Sequence, residues 1–128
     1  MTTRGVRGAT TVEIDSERQI LDATRELMDA ILAANPDMHP EDVASVLFTV
    51  TDDIISAYPA RAVRQMGWDQ VPLMCAREIP VTGSLTLCIR VLIHWNTEKP
   101  QNLIRHVYLR NAIQLRPDLV RHTKEAAQ

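Results

Sequence analysis

Apolar residues in the first third of the chain recur at helical spacing, with Ile20, Leu27 and Ile31 joined on the same side by Leu21, Met28 and Leu32. Ser16 followed three residues later by Gln19 has the form of a capping box, so the pattern predicts an amphipathic helix over residues 17–34. Asn35-Pro36 stops it, because the residue before a proline is pushed out of the helical region. Pro40, followed by Glu41 and Asp42, predicts one further helical turn.

Elsewhere the period shortens to two. Residues 85–96 alternate most clearly, Leu85, Leu87, Ile89, Val91, Ile93 and Trp95 against Thr86, Cys88, Arg90, Leu92, His94 and Asn96. This predicts a strand in which Arg90 leaves on the face opposite an apolar row. SVLFTVT at 45–51 is a second strand with Val46, Phe48 and Val50 on one face. Residues 3–10 are extended, with Arg4 and Val6 on one side and Arg7 on the other; Gly5 and Gly8 weaken a strand but let a backbone or a ligand approach Arg7. Pro72 confines the extended segment 71–77 to an edge. Residues 104–109 give a last strand in which His106 and Tyr108 share a face, after a turn at 100–103. Between the strands, Pro59 to Met66 closed by Gly67 reads as a short surface helix. The sum is an α+β fold, a mixed sheet of about five strands with helices packed on one side. One domain spans 1–128, with the polar stretch from about 117 to 128 as a mobile tail.

Composition narrows the functional classes. At 128 residues the chain has room for one core, and 45% hydrophobic against 23% charged residues is a globular balance. Fourteen basic and 16 acidic residues leave a net charge of −2, which carries no basic footprint for nucleic acid. No apolar stretch approaches a bilayer span or a signal peptide, so a cytoplasmic protein without membrane attachment is expected. Cys75 and Cys88 lack the close spacing of a zinc or redox pair and read as free thiols. His39, His94, His106 and His122 form no HExxH, and the sequence holds no GxSxG, P-loop or GxGxxG, so neither metal nor cofactor is expected.

Three arginines stand out by position: Arg7 beside small residues, Arg90 in an apolar strand, and Arg116 before Pro117. An arginine leaving a core strand needs an anion. Either an acid such as Glu78 pairs with it, or the planar forks together make a pocket for a small dianion. Glu78 could bind a hydroxyl, act as acid or base, or pair with arginine, and the Tyr108 phenol could serve a carboxylate or be structural. Taken alone, these residues define an α+β domain with a candidate anion pocket.

The order of the segments, however, resembles the monofunctional chorismate mutases of the small trimeric pseudo-barrel type. RGVRGATTV (4–12) looks like that family's opening signature, and TVTDDIISAYPARAVRQMGW (49–68), VPLMCAREIPVTGSLTLCIRVLI (71–93) and PQNLIRHVYLRNAIQLRPDL (100–119) match successive blocks. The resemblance implies an isomerase converting chorismate to prephenate in phenylalanine and tyrosine biosynthesis on the shikimate pathway. It also implies a homotrimer with active sites between subunits. It places Arg7, Arg90 and Tyr108 in the pocket, with Glu78 and Cys75, next to Met74, supplied by the adjoining subunit. Arg90, Arg7 and Glu78 carry the chemistry in this reading. Tyr58 and Arg61 would line the entrance and Arg116 would begin a closing segment. Leu73-Met74 departs from the smaller or polar residue that relatives often carry before the cysteine. A ligand-binding protein on the same scaffold, or an enamine or imine hydrolase using Glu78 to activate water, remain rival readings.

Overall fold

The computed structural model of the protein describes residues 2–115. Five strands, β1 (Thr3–Thr11), β2 (Val43–Val50), β3 (Leu73–Arg77), β4 (Cys88–Asn96) and β5 (Val107–Tyr108), form one mixed sheet in the order β3-β2-β4-β1-β5. Central β4 is antiparallel to both β1 and β2, while edge strands β3 and β5 run parallel to β2 and β1. Two helices, α1 (Glu17–Ala34) and α2 (Ala60–Gln65), pack on one side of the sheet.

The α1 helix forms where its apolar period predicts. Its buried stripe of Ile20, Leu27, Met28 and Ile31 meets Val6, Val46, Phe48, Ile89, Val91, Ile93 and Trp95 from the sheet. Each large apolar side chain fully buried there contributes roughly 1.5–3 kcal/mol. Ser16 caps the helix by accepting the Gln19 N–H at 3.2 Å. The Gln19 side chain does not return to the cap as in a closed capping box. It accepts the N–H groups of Glu13 and Ile14, both at 3.1 Å, tying the exit of β1 to the first turn of α1.

Three strands are shorter than the sequence pattern predicts, β3 only by its first two residues. β4 begins at Cys88 because Leu87 sits at φ +50°, with its N–H bonded at 3.0 and 3.1 Å to the Asp53 carboxylate instead of a strand neighbour. A side chain takes the N–H there, while the Leu87 carbonyl still accepts the Val12 N–H at 2.9 Å. β5 is only Val107–Tyr108, because the preceding backbone is taken up by buried Asn35: its amide donates to the Arg105 carbonyl at 2.9 Å and accepts the Arg105 N–H at 3.0 Å. Edge strand β3 uses the carbonyl of Pro72, which accepts the Val46 N–H at 2.9 Å, so the missing proline N–H costs no ladder bond. A 3₁₀ turn over Arg110–Leu115 follows β5, unanticipated by the sequence pattern; its Ala112 packs on Ala9, Cys88 and Tyr108.

Gly8 admits the close backbone approach that its sequence context suggests. A Cβ there would lie 2.8 Å from Ile31 Cδ1, 3.1 Å from Val91 Cγ1 and 3.2 Å from the Val107 carbonyl. The glycine lets α1 and β5 close onto β1, and it lines the same cleft as Arg7.

Candidate active site

The sheet register decides which side chains meet on the face that α1 leaves open. Arg7 on β1 stands opposite Leu92, Ala9 opposite Arg90, and Thr49 on β2 opposite Arg90 from the other flank. Tyr108 on β5 lies beside Ala9. Arg7, Arg90 and Tyr108 therefore come from three adjacent strands at one level of the sheet. Glu78 follows the last residue of β3, its N–H held by the Val50 carbonyl at 2.9 Å.

Together Arg7, Glu78, Arg90 and Tyr108, with Leu47 and Leu115, line a cleft of about 400 Å³. Arg90 Nε lies 3.6 Å from Glu78 Oε2, and the Thr49 hydroxyl donates to that same oxygen at 2.7 Å. With side chains 40% and 29% exposed, the Arg90–Glu78 pair is partly solvated and contributes little to stability. Its consequence is orientation. The Arg7 backbone N–H donates to His106 Nδ1 at 3.0 Å, joining the strand that bears Arg7 to the approach to β5. Behind Arg90, the buried Cys88 thiol is pushed above its ordinary pKa by desolvation, an effect the neighbouring guanidinium partly offsets.

The pairing of Arg90 with an acid and the arginine-lined cleft, posed as alternatives by the sequence, coexist. Glu78 does not need to come from another subunit to reach this cleft, because β3 lies next to β2 and ends where its following residue turns onto the open face, beside Arg90 of the same chain.

The remaining candidates lie elsewhere. Cys75 points to the helix-covered side and packs against the main core, and with Tyr58 and Arg61 it lines a second cleft of about 490 Å³. Tyr58 is largely exposed, and Arg61 pairs with Glu17 at 2.9 Å. Met74, opposite Leu47, is exposed on the open face. Arg116 and residues 117–128 lie outside the described residues. Sequence reading missed Thr49 and Leu47; the alternation of β2 already put both on the face opposite Val46 and Phe48.

Comparison with known proteins gives a consistent result. Residues 3–119 match the family model described as chorismate mutase type I. The chain is 57% identical over 116 residues to a protein named chorismate mutase AroH from Thermus thermophilus, covering 91% of this chain and 95% of that one. It is 48% identical over 120 residues to the chorismate mutase AroH of Bacillus subtilis (strain 168), covering 93% and 94% respectively. Among solved structures, a chorismate mutase from Clostridium thermocellum superposes with a TM-score of 0.82 at 44% identity, over 85% of this chain and 96% of that one.

Proposed function

The chain belongs to the chorismate mutase type I family, and from that premise we propose how its open-face cleft performs the reaction. The protein is an isomerase of aromatic amino acid biosynthesis that rearranges chorismate to prephenate. The observation that carries the mechanism is the convergence of Arg7, Glu78, Arg90 and Tyr108 on one cleft.

The rearrangement is a unimolecular pericyclic shift: the ether C–O bond breaks as a C–C bond forms, with no nucleophile and no obligatory proton transfer. The enzyme has two tasks, to hold the conformer in which the enolpyruvyl group lies over the ring, and to stabilise negative charge developing on the ether oxygen. Arg90 performs the second. Glu78 holds its Nε side, which leaves the terminal guanidinium nitrogens for the substrate. A charged donor whose bond strengthens in the transition state raises kcat, whereas equal binding of the ground state does not. Arg7 grips a carboxylate and Tyr108 assists, fixing the conformer. Glu78 accepts the hydrogen bond of the ring hydroxyl.

Cys75, Tyr58 and Arg61 form a second half-site. Cys75 lines this cleft and Glu78 the other, so a neighbouring chain would bring this half-site to Arg90. The family resemblance supports a homotrimer with active sites between subunits, working in the cytoplasm. Arg61 exchanges Glu17 for the dianion at the entrance, and Arg116 holds the closed state. Among the described residues no helix is long and apolar enough to cross a membrane.

The test is the loss of chorismate's ultraviolet absorbance with purified protein and no added cofactor, with prephenate identified as product and the solution mass measured alongside. Turnover by a particle of three chains supports the reading. Saturable binding of chorismate without turnover makes the protein a ligand-binding relative instead.

A further inference from the structure

We propose that Thr49 is a positioning residue for the rearrangement: its hydroxyl pins one oxygen of Glu78, so that the other is presented to the substrate hydroxyl and the carboxylate cannot close fully onto Arg90. This rests on the role given to Glu78 above.

Thr49 occupies the one register position that touches both partners. It faces Arg90 across the β2–β4 ladder and Ala76 across the β2–β3 ladder, two residues before Glu78. Its Oγ1 donates to Glu78 Oε2 at 2.7 Å, the length of a charge-assisted O–H···O bond. Arg90 Nε approaches that same Oε2 at 3.6 Å. Among the described residues, every bond to the Glu78 carboxylate falls on Oε2, and Oε1 remains for a donor from the cleft.

A glutamate has three side-chain torsions to fix, and partial burial, with the Glu78 side chain 29% exposed, does not by itself choose which way the carboxylate turns. An unrestrained carboxylate beside a guanidinium tends toward the bidentate fork, in which two parallel N–H···O bonds form. From the Nε side such a fork would occupy Nε and one terminal nitrogen, leaving fewer donors for the ether oxygen. Threonine suits the opposing role because β-branching stiffens χ1, which fixes the direction of the hydroxyl in a strand. The Glu78 N–H bond to Val50 fixes the backbone end, and Thr49 fixes the carboxylate end.

Thr49→Val keeps the shape and removes the bond, and Thr49→Ala serves if the valine variant does not fold. The experiment compares kcat/KM for chorismate in wild type, Thr49→Val, Thr49→Ser, Glu78→Ala and the Thr49→Val/Glu78→Ala double variant. Thr49→Val should lose about tenfold to a hundredfold, as expected for a hydrogen bond to a charged group, in both KM and kcat. Thr49→Ser should recover to within about threefold. With Glu78 already truncated, Thr49→Val should cost less than about twofold, since its effect passes through that carboxylate. An unaltered Thr49→Val, or an equal loss in the Glu78→Ala background, overturns the proposal. If Glu78→Ala itself is nearly as active as wild type, the role of Glu78 falls and this inference with it. If Glu78→Ala is impaired and Thr49→Val is not, only Thr49 is wrong.

Discussion

The two faces of the sheet differ by a single step along each strand, and that step separates stability from chemistry. On β4, Ile89, Val91, Ile93 and Trp95 are buried against α1, while Arg90, Leu92 and His94 on the other side remain half-exposed. β2 divides in the same way, Val46, Phe48 and Val50 inward and Ser45, Leu47 and Thr49 outward. The covered face excludes water and fixes the backbone. The open face then receives its arginines on a frame that is already rigid, which is the condition for a donor to be aimed at developing charge at no cost in reorganisation. A one-residue slip of β4 would exchange Arg90 for an isoleucine or a valine, so the hydrophobic row specifies the register that places the arginine.

The comparison breaks most sharply at Arg90. Arg90→Ala should lower kcat by several hundredfold or more, since a charged donor to the reacting oxygen is worth at least roughly 3–4 kcal/mol of barrier, while the thermal midpoint stays near that of wild type. A loss below about tenfold would remove Arg90 from the ether oxygen. On the opposite face, Ile93→Ala should do the reverse. Ile93 is fully buried, and truncation costs roughly 2–5 kcal/mol of unfolding free energy through lost transfer and a residual cavity. Its kcat per folded active site should stay within about twofold of wild type, because nothing on the open face is altered. Denaturant unfolding and single-turnover rates on the same samples distinguish the two outcomes.

Gly8→Ala tests where the separation ends. The added methyl meets the tip of Ile31, which can shift, and the Val107 carbonyl, which belongs to the backbone of β5. Overpacking of this kind costs roughly 1–3 kcal/mol. Because β5 carries Tyr108 into the cleft, strain on the covered side should reach the open side here, raising KM together with the loss of stability. A stability loss with KM unchanged would mean that β5 holds its place and α1 absorbs the methyl.

The covered face was legible in the sequence because burial imposes a period. The 3.6-residue repeat of α1 and the alternation of β2 and β4 predicted the core and placed Arg90 opposite it. Boundaries were less legible where a side chain does the work of a strand: Asp53 taking the Leu87 N–H and Asn35 taking the Arg105 backbone leave no mark on hydrophobic patterning. The open face has no period to read at all. Arg7, Glu78, Arg90 and Tyr108 span about a hundred positions, and only the strand order β3-β2-β4-β1-β5 brings them together. Motif resemblance supplied that grouping, but it could not show that Glu78 reaches Arg90 within one chain, or that Thr49 holds it.

The smallest effect belongs to the two cysteines. Cys88 has open-face parity, yet Ala9, Tyr108 and Ala112 bury it, while Cys75 has covered-face parity and borders the second cleft on edge strand β3. Parity alone would therefore predict the wrong reactive thiol. Iodoacetamide at neutral pH should label Cys75 and spare Cys88 in the folded protein, with both labelled in denaturant. Burial raises the Cys88 pKa above its ordinary 9.0, with Arg90 opposing the shift. The folded state therefore keeps the thiol protonated where the unfolded chain has begun to lose its proton. Stability from this group is fully present below pH 9.0 and falls as pH rises above it, at no more than about 1.4 kcal/mol per pH unit for one proton. Cys88→Ala should lower stability at neutral pH by leaving a small void and should flatten the slope above pH 9.0. An unchanged slope would mean that the alkaline loss comes from other groups, and equal labelling of both thiols would mean that the turn bearing Ala112 opens often enough to expose Cys88.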